Sequence, residues 1–440
     1  MTSIDRTALA TDASTETGAP SLIILGGGAS AVFVVVGLVE QAAKAGRVAP
    51  RITVVEREST VGLGIAYGRA EPHHLLNSPV GKMGVSEADP DGFLRWCRAR
   101  GLDVGAGTFV PRRLFGEYVA EQFATIAAGS AGRIRHLRGD AAAAATTDDG
   151  VEVTLADGSR LTAEILVLAV GNPPPGTWPS SSTRVIQDPW GAGALAGVSD
   201  ADRVLLIGTG LTMVDIATTL ARRHPGIRLT ATSRNLLIPR THLTSPAAPG
   251  PGLADDLTAL GDLISAVGRQ VRSARTAGEP WQALIDGMRP QLNPIWARLS
   301  VADRRRFLAH VARFWDVHRH RMAPSVSAEL GELRASGVLT LSRDVVETDF
   351  DLVINCTGPR SAATTGWNSL IDSLVRAGTV HADPLGLGLA ARSDGALLDA
   401  GGNPSERLFA VGPALRGSLW ETVAIPEIRQ EVTRLAAALG

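Results

Sequence analysis

Two stretches of the chain share one pattern of apolar and polar positions. Residues 21–25 form a short apolar run, three glycines follow, and uncharged sequence continues to residue 39 before a polar turn. A second apolar run, 51–55, then ends in Glu56. Residues 203–207 repeat the opening, with Gly208-Thr-Gly210 after them, a helical-period stretch, and a further run over 227–232 that ends in Ser233 and Arg234. Short apolar runs bounded by glycine suit strands covered on both faces. Each stretch therefore reads as strand, tight turn, helix, strand.

The turn residues give these units a chemistry. In Gly26-x-Gly28-x-x-Ala31, Gly26 allows the tight turn, Gly28 admits a pyrophosphate to the backbone, and Ala31 lets helix and strand pack closely. The amides at the helix start, at Ser30 among others, carry partial positive charge and suit an anion. Glu56 stands where an acid accepts hydrogen bonds from an adenosine ribose. The second unit offers Gly208, Thr209, Gly210 and Leu211 at the turn, but Met213 replaces the third small residue, which opposes close helix packing. It has no acid at its strand end. Ser233 and Arg234 stand there instead, and a cation at that place accommodates a 2′-phosphate, favouring NADP over NAD. One flavin site and one nicotinamide site is the natural meaning of two such units in one chain.

The rest of the pattern fills in the architecture. Residues 61–84 are Gly-rich and without period, a loop system running along the first nucleotide. Residues 91–100 and 112–127 read as helices, with Pro111 at the start of the second; Arg112 and Arg113 face either the cofactor or solvent. Residues 134–170 read as β-structure, with an Asp157-Gly158 hairpin turn leading to a buried strand that ends in Gly171. Residues 250–335 turn helical, over 281–288, 295–299, 302–320 and 326–335. Residues 351–359 repeat the strand-to-glycine pattern and read as the return to the first domain. A final strand enters Gly412-Pro413 and a helix running to the C-terminus. The domain expectation is a disordered tail over 1–18, a flavin domain over 19–198 and 351–440, and a nucleotide domain over 199–350 with a helical insert at about 250–335.

Composition narrows the function classes. Lys plus Arg total 43 against 44 for Asp plus Glu, a net charge of −1, which argues against bulk attraction to nucleic acid or an anionic membrane. Residues 21–39 mimic a signal anchor, but the three glycines and the acidic segment before them oppose that reading. Cys97 and Cys356 form neither a disulfide framework nor a Cys-x-x-Cys pair, which suits a cytoplasmic protein. Cys356, at the end of a buried strand, reads as a structural thiol. His73 and His74, and likewise His318 and His320, lack the spacing of metal ligands. The run His318-Arg319-His320-Arg321 is either an anion-recognition site, for substrate or cofactor, or a polar domain contact. The spacing names no acid–base pair and no nucleophile.

Taken together, Gly62-Leu-Gly-Ile-Ala-Tyr67, His74-Leu-Leu-Asn77, Pro111-Arg-Arg-Leu-Phe-Gly116, Gly208-Thr-Gly-Leu-Thr-Met-Val-Asp215, Trp315-Asp-Val-His-Arg-His-Arg321, Leu419-Trp-Glu421 and Ala424-Ile-Pro426 resemble a known group. The chain is similar, over residues 20–435, to the flavoproteins with two dinucleotide-binding domains, and more narrowly to the FAD-NAD(P)-binding family. That family has relatives among flavin N-hydroxylases, including enzymes that oxidise the amino group of aspartate. The resemblance implies an α/β fold of two Rossmann-like domains, for FAD and NADP, with a helical insertion. It implies an NADPH-dependent monooxygenase acting through a C4a-hydroperoxyflavin on a small amine or amino acid, with O2 as co-substrate. Asn77 and Lys82 would lie near the isoalloxazine ring, and Gly171, Gly412 and Glu421 along the FAD. A homo-oligomer is compatible with this. The competing expectations are a flavin reductase without oxygen insertion and a non-catalytic flavin-binding protein.

Overall fold

The computed structural model describes residues 20–180 and 184–440; the tail expected over 1–18 lies outside them. In chain order the first part contains β1 (Ser21–Leu25), α1 (Ala29–Lys44), β2 (Arg51–Glu56), α2 (Gly64–Gly68), α3 (Gly92–Ala99), α4 (Arg112–Gly129), β3 (Ile134–Arg138), β4 (Ala141–Thr147), β5 (Gly150–Leu155), β6 (Arg160–Ala163) and β7 (Ile165–Leu168). The middle holds β8 (Arg184–Ile186), β9 (Arg203–Ile207), α5 (Leu211–Arg223), β10 (Arg228–Thr232), α6 (Leu260–Ala277), α7 (Trp281–Arg298), α8 (Val301–His310), α9 (Ala312–Arg319), α10 (Pro324–Ala335), β11 (Leu339–Leu341) and β12 (Leu352–Asn355). The chain ends with α11 (Ser369–Arg376), β13 (Ala396–Leu398), β14 (Pro404–Ala410) and α12 (Ile425–Leu439).

The first sheet has the order β13-β14-β7-β1-β2-β3 and is parallel except for the edge strand β13. Leu22–Leu25 are at most 3% exposed because both faces are covered. On one face α1, α3, α4 and α12 bury a core that includes Phe33, Phe93 and Phe115. On the other lie the small sheet β4-β5-β6 and α11. Gly37 on α1 lets α12 approach closely, since a Cβ there would come within 2.5 Å of Val432.

The second sheet, β11-β10-β9-β12-β8, is wholly parallel. Its residues alternate by the pleat: Val204, Leu206 and Ile354 pack with α5 and α10, whereas Leu205, Ile207 and Val353 face a small cluster with Trp178. Met213 is fully buried in the first of these cores. The unbranched side chain fills the space between helix and sheet that a small residue would have closed, so α5 packs in spite of the departure.

Three expectations change. The strand at 351–355 does not return to the first sheet; β12 pairs with β9 and β8, so the second unit starts by Arg184 and runs through Asn355, wider than 199–350. The segments leaving and re-entering the first unit instead run side by side, joined by a hydrogen bond from the Arg360 amide to the Pro174 carbonyl. The helices expected at 281–288 and 295–299 are one helix, α7, which continues through Pro290 and Pro294. The helix expected at 302–320 breaks at Val311 into α8 and α9. No helix among the described residues is long and apolar enough to cross a membrane.

Candidate cofactor sites and the seam between them

Three parallel neighbours, β1, β7 and β14, end at one edge of the first sheet, each followed within a few residues by a glycine of positive φ: Gly26 (+92°), Gly171 (+69°) and Gly412 (+78°). That edge, beyond the carboxyl ends of the strands, is where an open α/β sheet binds its ligand. Gly26 sits so close to the neighbouring strand that a Cβ would lie 2.4 Å from the Ala169 carbonyl oxygen. A Cβ on Gly27 would meet the Glu56 side chain at 2.6 Å. Gly28 caps α1 with no side-chain cap, so the first amides of α1, at Ala29 and Ser30, have no side-chain partner at the helix start. Ala31 is fully buried against the core. Glu56 stands at the end of β2, where its carboxylate accepts from the Gly27 amide (2.5 Å) and the Glu58 amide (3.0 Å). A Cβ on Gly412 would come within 3.1 Å of the Ser30 Oγ, which brings the C-terminal turn against the start of α1. These residues fit a dinucleotide: an uncapped helix start for the pyrophosphate, an acid for the ribose, and glycine cradles that a side chain would fill.

Behind Gly412 lies a buried acid that the sequence pattern did not single out. Glu431 on α12, 3% exposed, accepts from the Gly412 amide at 3.0 Å, while Thr422 donates to the Gly412 carbonyl at 2.8 Å. Burial pushes the Glu431 carboxyl up to about 8, against the hydrogen bond from the Gly412 amide. Its folded value lies above the ordinary 4.5, so its contribution to stability is complete below 4.5 and is lost as pH rises through about 8. Glu431→Gln keeps an acceptor for Gly412 without the titration. Thermal unfolding as a function of pH is expected to show a wild-type decline across this window, of up to about 1.4 kcal/mol per pH unit, that the variant lacks.

The second turn is built alike. A Cβ on Gly208 (φ +108°) would meet the Cys356 carbonyl at 2.5 Å. Gly210 caps α5, again with no side-chain cap, and opens onto free space. Thr209 shares a 2.8 Å hydrogen bond with Ser233 and donates to the Leu237 carbonyl at 2.5 Å, fixing the loop after β10; Leu211 opens α5. Arg234, just beyond, is exposed, and its side chain has no hydrogen bond or ion pair among the described residues. Arg234→Ala is expected to raise the NADPH Kd by about tenfold to a hundredfold, the worth of a charge-assisted phosphate contact, and to leave NADH nearly unchanged. Titration with the two dinucleotides checks this; equal losses would remove the phosphate role.

The two units meet along a polar seam. Arg112, at the start of α4, pairs with Asp215 of α5 at 2.8 Å and donates to the Leu75 carbonyl. His73 and His74 both reach Thr219 of α5, at 3.1 and 2.8 Å. Burial lowers the pKa of both rings, so they serve as neutral hydrogen-bonding groups. Arg113 is on the outer side, near Glu117. Farther along, the Asn77 carbonyl accepts from His242 at 2.9 Å, and burial followed by Arg321 pushes that ring down to about 4. Lys82 pairs with Asp286 of α7 at 3.1 Å, and Asp286 also takes Arg321.

The cation run 318–321 is the hub of a second buried network. Arg319, 6% exposed, contacts Glu421 (2.9 Å) and Glu427 (3.1 Å). Glu421 also accepts from the Trp315 indole at 3.0 Å, while Asn293 engages both its peptide groups. Arg289 completes the pairing at Glu427. His318 donates to the Phe314 carbonyl, and burial holds His320 down to about 3, uncharged. Of the two readings of this run, the geometry is that of a domain contact, because a buried guanidinium must have its carboxylates. The partner carboxylates, Asp286, Glu421 and Glu427, and the acid Glu431 were not legible as a set. The one signal was on α7, where Asp286, Arg289 and Asn293 form a polar stripe at helical spacing on a largely apolar helix.

Residues 23–173 match the model of a family described as FAD-NAD(P)-binding. That stretch is similar to an FAD-NAD(P)-binding domain and holds the first glycine turn, Glu56 and Gly171. Its fold is that of the two-domain flavin monooxygenases. L-lysine 6-monooxygenase from Pseudomonas syringae superposes with a TM-score of 0.63 at 14% identity, covering 96% of this chain and 99% of that one. Ornithine hydroxylase from Pseudomonas aeruginosa gives 0.60 at 13%, and the ornithine N-hydroxylase of Kutzneria sp. 744, in a complex with reduced FAD and NADP+, gives 0.61 at 11%; both have the same coverage. No curated protein matches the chain in sequence.

Proposed function

We propose that the protein is an NADPH-dependent flavin monooxygenase that hydroxylates the nitrogen of a small amine or amino acid. The observation that carries this reading is the pair of strand–glycine–helix turns, each with an uncapped helix start, in two units tied by the Arg112–Asp215 pair. FAD would be held by Gly26, Gly28, Ser30 and Ala31 at its pyrophosphate and by Glu56 at its ribose, with Gly171 and Gly412 along the same sheet edge. Gly208, Gly210, Ser233 and Arg234 would hold NADPH. When bound, the flavin supplies the hydride-accepting and oxygen-activating chemistry. The chain's part is to orient it and keep water out: the Asn77 loop is fixed by His242, and the Lys82 ammonium by Asp286. The likeness in fold to N-hydroxylating enzymes supports the kind of reaction. A thiol relay finds no support, since Cys97 and Cys356 are both buried and burial raises both thiols, Cys97 to about 11.

The test is stopped-flow absorbance. The protein is reduced anaerobically with NADPH and mixed with O2. A transient absorbing between the reduced and oxidised flavin bands, shortened by an amine substrate, is the expected result. Direct return to oxidised flavin with peroxide release would favour a reductase without oxygen insertion, and no reduction by NADPH would sink the proposal.

A further inference from the structure

The helical insert encloses a cavity of about 260 Å³ that the flavin and nucleotide sites do not use. Helix α7 separates it from them. Ile285, Met288, Leu292 and Ile295 line the cavity from one face of α7. The adjoining face carries Asp286, Arg289 and Asn293, which hold Lys82, Glu427 and Glu421. The remaining walls come from α6, α8 and α9, and from Trp420.

The walls select for chemistry. No lining residue is an acid, a lysine or an arginine. The indole N–H groups of Trp296 and Trp315 are spent behind the wall, on the Gly417 carbonyl and on Glu421, so both rings present only carbon to the cavity. A charged ligand would lose its hydration with nothing in return. Water gains little too, because a water needs two or more polar partners, and the lining offers only His310 at the rim and the Trp420 indole N–H. The cavity is also propped open. Trp296, Phe307 and Trp420 pack on one another with centroids 4.9–5.7 Å apart, a rigid corner that cannot collapse inward. Ile264 and Phe314, 49% and 47% exposed, mark a mouth open to solvent. An apolar cavity of roughly 150 Å³ is already enough for a benzene-sized molecule.

We propose that this cavity is a ligand site distinct from the flavin cleft, taking a neutral apolar molecule of one or two fused or linked rings, or an alkyl chain of similar bulk. The inference does not rest on the monooxygenase reading, because binding is read whether or not NADPH reduces the protein.

The experiment titrates the FAD-loaded protein with N-phenyl-1-naphthylamine, a neutral apolar fluorophore, following its emission on excitation of the cavity tryptophans. One saturable site is expected, with the same affinity in saturating NADP+. Two variants fill the cavity from opposite walls, Ile285→Trp and Leu263→Phe. Each should weaken the probe by about tenfold or more while retaining its flavin. Absence of saturable binding to the wild-type protein, equal binding to both filled variants, or displacement by NADP+ would each overturn the proposal. Light scattering accompanies the titration: a mass that is a multiple of 45.9 kDa together with no probe binding would show that a second copy covers the mouth, which also overturns it.

Discussion

Gly26→Ala is expected to yield protein that purifies without flavin. Two costs add at this position. The backbone has φ +92°, where a side chain is strained by about 1–3 kcal/mol. The new Cβ would also lie 2.4 Å from the Ala169 carbonyl oxygen, a backbone atom that cannot turn aside. To relieve the contact β1 and β7 must separate at the edge where the cofactor is held. Gly171→Ala is the matched comparison. It too has positive φ, +69°, but nothing lies within 4 Å of its Cβ position, so it pays strain alone, about 1 kcal/mol. The flavin-to-protein absorbance ratio of the two variants separates these effects. If Gly26→Ala keeps its flavin as well as Gly171→Ala does, the tight approach of β1 to β7 does not shape the site.

The second large effect is expected at Arg319. Truncation to alanine leaves Glu421, 3% exposed, without its guanidinium and Glu427, 7% exposed, with Arg289 alone, and breaking one partner out of a buried pair costs about 3–5 kcal/mol. The thermal midpoint should fall accordingly. Removing the matched pair, Arg319→Met with Glu421→Gln, while Glu427 keeps Arg289, should restore much of the loss, because the penalty lies in the uncompensated charge. A double variant as unstable as Arg319→Ala would show instead that the network's geometry, more than its charge balance, holds the segment.

What the sequence made legible was local. The two glycine turns, the Asp157-Gly158 hairpin and the long helices are set by residues within a few positions of one another, so their signals lie in one window. Pairings were not. The run 351–355 has the same pattern as 165–168, and nothing inside either run says which sheet receives it. Pro290 and Pro294 fall between the helices expected at 281–288 and 295–299, and proline removes a helical hydrogen bond; α7 continues because Met288 on one side and Ile295 and Trp296 on the other are buried in one core. The cations at 318–321 looked available for a ligand because Glu421, which receives Arg319, stands 102 residues away. For the cofactor contacts, the fingerprints located both turns, while His242 and Asp286, which join the units, carry no motif, and Asp215 and Arg112 lie in two separate motifs with nothing in either to pair them.

The placement of β14 has a further consequence for how the protein is made. The second sheet draws all its strands from one contiguous stretch, residues 184–355, and can close as soon as that stretch has left the ribosome. The first sheet cannot, although its opening strand is made first. Its edge beyond β7 waits for β14, and the groove at Gly37 of α1 waits for Val432, both made after the whole of the second sheet. The half of the protein begun earliest is therefore finished last, and until then its most apolar helix stands uncovered, so a nascent or truncated chain has greatest need of a chaperone at its N-terminal unit.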